Sequence, residues 1–556
     1  MYEIFHLAAL TQTPTTITNL LIRTCNHFDL TVNAATCESE YSGTGGTGPY
    51  LAQVFQKMSL ATQDMQAFCH YEMGLCDIPP VIEIDESEWF SPKPADKMTA
   101  PPPCGETMQI IHFSDWHLDP RYDIGSEANC SQSMCCRFDT TNTALNTTVE
   151  NPSLPASRWG DFICDTSADL GLSAFASMHK FLDISKTEFT IFTGDIISHD
   201  PDDQQSRAYV EYEEKISFET FKAQLPGVPL YATLGNHDSI PSGFNAPNNI
   251  NNGTAPNPMS WNYEFVSSMW ENDQWISGDA AKYAATHYGA YATTTKQGLK
   301  IISYNSDFYY TPNPYVYYNF TNPDVSGTMR FIIDELEASE KAGQRVWIIA
   351  HVPSGGGSAT TNPSALFASI VRRFSPATIA GVFYGHTHQD SKSIYYDLKP
   401  QNTSSGLVNT TDINYDSPLN VAWVCPSIAP RTNYNSGWVV YQIDKETFEI
   451  VNSQTYWANI SDSHSHKWDK GPVWELEYDT RKTYDPEGEW PKDAPLNATF
   501  FDKVTQKMES DPSLVDRYSF LETKQSSQVP VCSNDDCRKS VICNIRSGSA
   551  AEASLC

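Results

Sequence analysis

The chain has 556 residues, and its 40% hydrophobic and 12% aromatic residues can fill a large core, which excludes wholesale disorder. Its 36 basic and 67 acidic residues give a formal net charge of −31, so the surface repels polyanions and we expect no nucleic-acid partner. No apolar run reaches the length of about 18–20 residues that a membrane helix needs.

Residues 1–84 form a candidate helical block that contains Cys25, Cys37, Cys69 and Cys76. Apolar residues between Tyr50 and His70 recur at helical spacing. Residues 85–107 are rich in proline, which stiffens a chain and removes hydrogen-bond donors, so this segment is predicted to be a linker.

Short apolar runs alternate with amphipathic segments from residue 108 to residue 462, the span expected to form the catalytic domain. Strands are predicted at Gln109–Phe113, Phe189–Phe192, Leu230–Leu234, Leu299–Tyr304, Arg345–Ala350, Ile379–Tyr384, Val421–Val424, Trp438–Ile443 and Phe448–Val451. Helices are predicted at Ala168–Asp183, Arg207–Leu225, Met259–Trp270, Gly327–Lys341 and Ser364–Phe374. The alternation predicts an α/β fold with helices outside the sheet structure. Residues 463–556 are expected to form a separate, mainly helical lobe.

Five polar blocks each follow a predicted strand. They are Asp115-Trp116-His117, Gly194-Asp195, Gly235-Asn236-His237-Asp238, His351 and Gly385-His386-Thr387-His388. Open α/β sheets bind ligands at the carboxyl ends of their strands. Carboxylate and imidazole groups suit zinc and other first-row metal ions. Two metals held there would clamp a phosphate and generate hydroxide near neutral pH.

The local spacing adds detail to this prediction. Alternation along an extended strand would place both ligands of an Asp-x-His or His-x-His pair on one side. The glycines that precede Asp195, Asn236 and His386 would let the backbone approach the metals closely. Asp195 is the natural candidate to bridge two ions. Each block alone has an ordinary alternative as a turn, a surface pair or a structural histidine; their joint order favours a metal centre.

The five blocks resemble the signature of the calcineurin-like metallophosphoesterases over about residues 108–455. More narrowly, the chain resembles the acid sphingomyelinases and their phosphodiesterase relatives. That resemblance rests on Cys130-x4-Cys135-Cys136-Arg137, Trp159-Gly160, Cys164-Asp165, Thr193-Gly194-Asp195, His199-Asp200 and Val440–Asp444, and on the cysteine pattern of the C-terminal tail. It implies two packed mixed β-sheets flanked by helices, with small helical lobes at both ends.

The resemblance also implies site residues. One of two zinc ions would be held by Asp115, His117, Asp195 and His388, and the other by Asp195, Asn236, His351 and His386. His237 would bind the phosphate and is a candidate proton donor, with Asp238 orienting it. His199 is the other candidate donor.

Cysteine spacing and the family pattern together imply disulfides. The expected pairs are Cys130–Cys135, Cys136–Cys164, Cys25–Cys37, Cys532–Cys537 and Cys543–Cys556. Cys69 and Cys76 lack their family partners and are candidates to pair with each other, and Cys104 and Cys425 have no assigned partner. The first block resembles a truncated saposin-type domain, because two cysteines are missing upstream of Cys25; the alternative is a helical pack without a lipid role.

Candidate glycosylation sequons accompany these cysteines at Asn129, Asn146, Asn252, Asn319, Asn402, Asn409, Asn459 and Asn497. Together they favour an oxidising, glycosylating route, hence a secreted protein or one of an acidic, lysosome-like compartment. The N-terminus lacks the basic and continuous apolar regions of a secretory signal, so we expect it to be incomplete.

Three functions compete. The leading hypothesis is a monomeric zinc phosphodiesterase that cleaves sphingomyelin to ceramide and phosphocholine and contacts the membrane surface transiently through residues 1–84. The second is a related phosphodiesterase that acts on soluble nucleotides or other phosphodiesters. The third is a lipid-binding protein with a relic metal site, which would be expected to have lost ligands.

Overall fold

Two six-stranded mixed β-sheets form the centre of the protein in a computed structural model, which describes residues 13–28, 36–43, 45–59, 61–252, 254–398 and 413–556. The strands are β1 (Thr107–Phe113), β2 (Thr187–Phe192), β3 (Leu230–Ala232), β4 (Tyr291–Thr294), β5 (Lys300–Ser303), β6 (Val346–Ile349), β7 (Ile379–Tyr384), β8 (Ser391–Leu398), β9 (Ile413–Val424), β10 (Ser436–Asp444), β11 (Ile450–Ala458) and β12 (Trp474–Asp479). The prediction of an α/β fold with two packed mixed sheets is confirmed.

The first sheet has the order β12-β11-β10-β1-β2-β3, and the second has the order β4-β5-β6-β7-β9-β8. Strands β1, β2 and β3 are parallel, as are β5, β6, β7 and β9. The strands that the sequence did not predict, β4, β8 and β12, all lie at sheet edges. The fourth edge strand, β3, was predicted, so an edge position alone does not explain which strands were missed.

Alternation along the strands creates four layers. Ile110 of β1 packs in the core between the sheets together with Ile349 of β6. The next residue, Ile111, faces the opposite way and joins the core that covers the outer face of the first sheet. Ile348 of β6 likewise faces outward, into the core on the far side of the second sheet. Each sheet therefore buries both faces, one against the other sheet and one against helices.

The helices that flank the sheets agree with the predicted segments to within a few residues at each end. They are Ala168–Phe181, Arg207–Gln224, Ser260–Asn272, Gly278–Thr286, Thr328–Ala342 and Thr361–Phe374. The fourth of these, Gly278–Thr286, was not predicted. In helix Thr328–Ala342, Met329, Ile332, Ile333 and Leu336 are buried at the spacing of one helical face.

The N-terminal helices pack directly on the catalytic domain. They are Pro14–Phe28, Cys37–Ser42, Gly48–Lys57 and Asp64–Tyr71, followed by the short helix Glu86–Trp89. Phe68 contacts Tyr317 with ring centroids 5.5 Å apart. The buried carboxylate of Asp64 accepts hydrogen bonds from the backbone N–H groups of Asn319 (2.9 Å) and Phe320 (3.0 Å). These contacts seat the helical block against the domain despite the intervening linker.

The C-terminal segment is not separate from the sheets, and the boundary expected after residue 462 needs correction. β12 pairs with β11 and extends the first sheet beyond that boundary. Helices Thr480–Tyr484, Ala498–Ser510, Pro512–Glu522, Asp535–Ile545 and Ala550–Ala553 follow. Phe501 and Val504 join the core between the sheets, so apolar contacts tie the segment to the catalytic domain.

The five expected disulfides are present, and Cys69 and Cys76 form a sixth. Cys104 is exposed and Cys425 is buried, and both are free thiols. None of the described helices is long and apolar enough to cross a bilayer.

The predicted glycosylation sites differ in exposure. Asn129, Asn146, Asn252 and Asn319 are exposed, whereas Asn459 and Asn497 are half-buried. The side chains of these last two accept hydrogen bonds at helix N-termini. Asn402 and Asn409 lie outside the described residues.

Candidate metal centre

All seven predicted ligands converge at the carboxyl ends of the parallel strands. Asp115 and His117 follow β1, Asp195 follows β2, Asn236 follows β3, His351 follows β6, and His386 and His388 follow β7. Their donor atoms form overlapping groups, Asp115 with His117 and Asp195, and Asp195 with His351 and His386. The two sheets thus contribute to one site.

Tight turns, rather than extended strand, place the paired ligands on one side. Asp115, His117, Asp195, His386 and His388 all have positive φ, between 36° and 71°. The prediction that strand alternation aligns the Asp-x-His and His-x-His pairs is therefore wrong, because β1 and β7 end before the ligands begin. Left-handed conformations are costly for residues other than glycine and persist where the surroundings impose them.

Two of the glycines named in the sequence analysis allow these turns to approach one another; the close approach of the backbone to metals stays a prediction. A Cβ on Gly235 would lie 2.1 Å from Asp195 Oδ1, and one on Gly385 would lie 2.1 Å from Ser114 Oγ. Both distances are far below any tolerated contact. A side chain at either position would force the ligand loops apart.

The first cluster comprises Asp115, His117, Asp195 and His388, and its geometry fits a bound cation. His117 Nδ1 donates to the Ile197 carbonyl oxygen at 2.6 Å, and His388 Nδ1 lies 3.3 Å from the Arg431 carbonyl oxygen. If both rings are neutral, as metal binding requires, their Nε2 atoms are both acceptors and lie only 3.3 Å apart. Asp115 Oδ1 lies 3.4 Å from His388 Nε2. Lone pairs that face one another in a buried site fit a metal ion.

The second cluster comprises Asp195, Asn236, His351 and His386 and has the same character. His351 Nδ1 donates to the Thr193 carbonyl oxygen at 2.6 Å. Its Nε2 lies 3.1 Å from both Asp195 Oδ2 and Asn236 Oδ1. His386 Nδ1 lies 2.8 Å from the same Asn236 oxygen. Carboxylate, amide oxygen and imidazole are donors that zinc and other first-row ions accept.

Asp195 is shared by both clusters. Its Oδ2 lies 3.3 Å from His117 Nε2 and 3.1 Å from His351 Nε2. Burial lowers the pKa of both imidazoles, but the Asp195 carboxylate outweighs it and raises the pKa of His117 to about 9 and that of His351 to about 10. Protons therefore fill these positions in the metal-free protein, and a bound cation must displace them.

His199 stands beside the first cluster and is held by a residue that the sequence reasoning gave no role, Asp165. The fully buried Asp165 carboxylate accepts hydrogen bonds from the His199 backbone N–H (2.6 Å) and from Nδ1 (2.8 Å). Burial lowers the pKa of His199 well below its ordinary value, and the Asp165 charge opposes that effect. The Cys136–Cys164 disulfide, directly before Asp165, is the one sequence signal near this residue.

His237 lies next to His199, with ring centroids 4.3 Å apart. Burial lowers its pKa to about 4, although Asp195 opposes the shift. Its Nδ1 lies 3.2 Å from Ser242 Oγ. Ser242 therefore occupies the orienting position that was expected for Asp238, and that expectation needs correction.

Asp238 has a different task. Its carboxylate accepts hydrogen bonds from the backbone N–H groups of Gly235 (2.7 Å), Asp195 (3.0 Å), Ile196 (2.6 Å) and Ile197 (3.3 Å). It thereby fixes the loop that presents Asp195. Because these bonds occupy the carboxylate, it cannot also orient the imidazole of the preceding residue.

A cavity of about 1100 Å³ opens from the metal centre. His199, Asn236 and His237 line one end, and Tyr310 packs beside His386 with ring centroids 5.1 Å apart. The N-terminal helices and the segment after them supply an apolar wall, which also carries the acidic Glu40 and Glu72. The apolar residues of this wall are Leu21, Leu51, Phe55, Phe68, Met73 and Leu75. The cavity therefore joins a polar, metal-binding floor to an apolar wall.

The calcineurin-like phosphoesterase family model matches residues 108–390. The chain is 30% identical over 469 residues to sphingomyelin phosphodiesterase 2 of Caenorhabditis elegans, covering 81% of this chain and 70% of that protein. It is 27% identical over 503 residues to sphingomyelin phosphodiesterase B of Dictyostelium discoideum, covering 89% and 72%. It is also 29% identical over 413 residues to the human cyclic GMP-AMP phosphodiesterase SMPDL3A, covering 71% and 78%.

Fold and site thus define a dimetal-type phosphoesterase, and the chain belongs to the calcineurin-like phosphoesterase family. Within that family it is a phosphoric diester hydrolase related to the sphingomyelin phosphodiesterases.

Proposed function

We propose that the protein is a zinc-dependent phosphodiesterase that hydrolyses sphingomyelin to ceramide and phosphocholine. Zinc ions would be held by the two clusters, with Asp195 common to both. When bound, such a metal pair neutralises phosphate charge and makes a water molecule nucleophilic near neutral pH. The seven intact ligands speak against the third hypothesis, a lipid-binding protein with a relic site.

The chain's own residues supply the proton. His199 Nδ1 is engaged by Asp165, so Nε2 is the nitrogen left to face the cavity. The ring can give a proton from Nε2 to the leaving ceramide oxygen only as an imidazolium. The adjacent Asp165 carboxylate favours that form. His237, held at Ser242, is placed to bind the phosphate beside it.

The apolar wall of the cavity is the observation that supports a lipid substrate. A phosphodiester whose leaving group is a two-chain lipid needs apolar surface beyond the metal centre. Leu51 and Phe55 on helix Gly48–Lys57, with Leu21 on helix Pro14–Phe28, offer that surface within the same cavity. A soluble nucleotide has no acyl chains to extend along this wall, although its base could stack on Phe55 or Phe68.

A second candidate is hydrolysis of a soluble nucleotide phosphodiester. The similarity to the human cyclic GMP-AMP phosphodiesterase supports it. The same metal centre would serve, since the chemistry at phosphorus is common to both substrates. The two proposals therefore differ in whether the N-terminal helices contribute to substrate binding.

The test compares kcat/KM for micellar sphingomyelin with that for a nucleotide phosphodiester and for bis(p-nitrophenyl) phosphate. Leu51→Asn places a polar group on the cavity wall, whereas Leu20→Asn alters a half-buried leucine that does not line the cavity. We expect Leu51→Asn to raise KM for micellar sphingomyelin several-fold and to leave bis(p-nitrophenyl) phosphate unaffected. Leu20→Asn should change neither. A wild-type preference for the nucleotide would refute the lipid proposal.

We also propose a secreted or lysosome-like acidic location, transient contact with a membrane surface through the N-terminal helices, and a monomeric state. The disulfides and exposed sequons support an oxidising, glycosylating route. Depressed histidine pKa values at the site favour proton donation at low pH. Activity measured between pH 4 and pH 8 tests the acidic location, since a maximum above pH 7 would contradict it.

A further inference from the structure

The turn that carries His386 and His388 is strained at both ligands, as is the turn that carries Asp115 and His117. Both histidines have positive φ, 71° and 60°, although neither is glycine. Such conformations cost free energy and must be imposed by neighbouring groups. Within the turn, the Thr387 N–H donates to the Gly385 carbonyl oxygen at 2.8 Å. The Gln389 N–H also donates to Thr387 Oγ1 at 3.3 Å, and the other restraints on the His388 end come from outside the turn.

The Ser427 N–H lies 3.5 Å from the His388 carbonyl oxygen, and a second external restraint comes from Lys524. It follows helix Pro512–Glu522 and is fully buried, and its Nζ donates a hydrogen bond to the His388 carbonyl oxygen. Glu522, at the end of the same helix, accepts hydrogen bonds from the two residues that follow His388. The Asp390 N–H donates to the Glu522 carbonyl oxygen at 2.9 Å, and Gln389 Nε2 donates to Glu522 Oε1 at 3.1 Å.

The position of Lys524 is itself closely defined. Its carbonyl oxygen accepts a hydrogen bond from Asn435 Nδ2 at 2.8 Å, and its Nζ lies 5.3 Å from the centre of the Tyr434 ring. Asp390 and Asp115 are near enough to stabilise its charge electrostatically, whereas burial raises the pKa of the neighbouring Glu477 well above its ordinary value. The aliphatic part of the Lys524 side chain lies close to the backbone of β10, because a Cβ on Gly437 would be only 2.7 Å from Lys524 Cδ.

We propose that Lys524 is a positioning residue for the metal ligand His388, and that the C-terminal segment thereby completes the first metal cluster. The ring of His388 is aligned by the Arg431 carbonyl oxygen, and its backbone is aligned by Lys524. Loss of either restraint lets the strained turn relax and moves the imidazole away from His117. The inference rests on the proposed metal centre, and it concerns one cluster of the two.

The test measures zinc affinity by chelator competition and the absorption spectrum of the Co²⁺-substituted protein. Lys524→Met removes the donor and the charge. We expect one zinc ion to bind as in the wild type and the other about 10- to 100-fold more weakly, the usual effect of losing an outer-sphere partner. The Co²⁺ spectrum should change, and Lys524→Arg, which keeps a charged donor, should recover part of the lost affinity.

Lys392→Met is the matched control. Lys392 is also buried and paired with Asp390, but its hydrogen bonds are to Asp390 and Tyr518 rather than to a metal ligand. It should keep both zinc affinities. Equal weakening in Lys392→Met, or unchanged affinities and spectrum in Lys524→Met, would overturn the inference.

Gly437→Ala gives an independent test should Lys524→Met fail to fold. The added methyl group displaces the lysine stem without removing its charge. We expect the same selective loss at one zinc site, and two unchanged affinities would overturn the inference. A wild-type protein that binds no zinc would instead refute the proposed metal centre.

Discussion

Replacing Asp165 by Asn tests how the proton donor is held. The substitution preserves the shape of the side chain but removes the charge that faces His199 Nδ1 at 2.8 Å. A hydrogen bond to a charged group contributes about 1.5–3 kcal/mol. At 1.36 kcal/mol for each factor of ten, kcat for sphingomyelin should fall about 10- to 150-fold.

The pH dependence supplies a second readout. Burial lowers the pKa of His199, and the Asp165 charge partly restores it. Because the imidazolium is the active form, activity falls as the pH rises above this pKa. Loss of the charge lowers the pKa further, so the alkaline limb of the profile should move to lower pH.

The assay compares sphingomyelin with a nitrophenyl phosphodiester, whose leaving group hardly needs a proton. Asp165→Asn should slow the first reaction strongly and the second little, with unchanged zinc content. Ser242→Ala is the matched control, because it removes the polar partner of His237 instead. Unchanged sphingomyelin turnover in Asp165→Asn, or a stronger leaving-group dependence in Ser242→Ala, would assign the donor role to His237.

Three further predictions follow from the burial and charge of particular groups. Asp195→Asn should nearly abolish turnover while the protein still folds, and activity within about tenfold of the wild type, about 1.4 kcal/mol in the barrier, would contradict the shared position of this carboxylate. Zinc added at pH 7 to metal-free protein should release protons in a pH-stat, because the pKa values of His117 and His351 lie near 9 and 10; no release would contradict their assignment as ligands. Burial raises the pKa of Glu213 to about 8 and that of Asp202 to about 7, so their stabilising neutral forms are lost as the pH rises through 7 and 8. Thermal unfolding should therefore occur at a higher temperature at pH 5 than at pH 8, and Glu213→Gln should narrow that difference.

The central strands and the identity of the clustered residues could be predicted because both correspond to local patterns in the sequence. Long apolar runs define β1, β2, β6 and β7, and the polar blocks stand immediately after them. Three of the four edge strands, β4, β8 and β12, were missed, whereas the fourth, β3, was predicted. The left-handed turns at the ligands could not be foreseen, since Asp and His adopt them only where tertiary contacts impose the conformation.

Residues that act across long sequence separations were the hardest to predict. Asp165 meets His199 across 34 residues, and Lys524 meets His388 across 136 residues. Neither pair of residues is linked by a periodic pattern in the sequence, so sequence reasoning had no signal for the contact. The role expected for Asp238 failed for a related reason, since its neighbour in sequence, His237, is not its neighbour in hydrogen bonding. Backbone N–H groups from two loops occupy the Asp238 carboxylate instead.

A zinc titration of metal-free protein, followed by phosphocholine release from micellar sphingomyelin, tests the central claim most directly. If the two clusters act together, activity will be absent without metal and will reach its maximum when two zinc ions are bound per chain. Full activity in the metal-free protein, or a maximum at one zinc ion per chain, would contradict this account of the site.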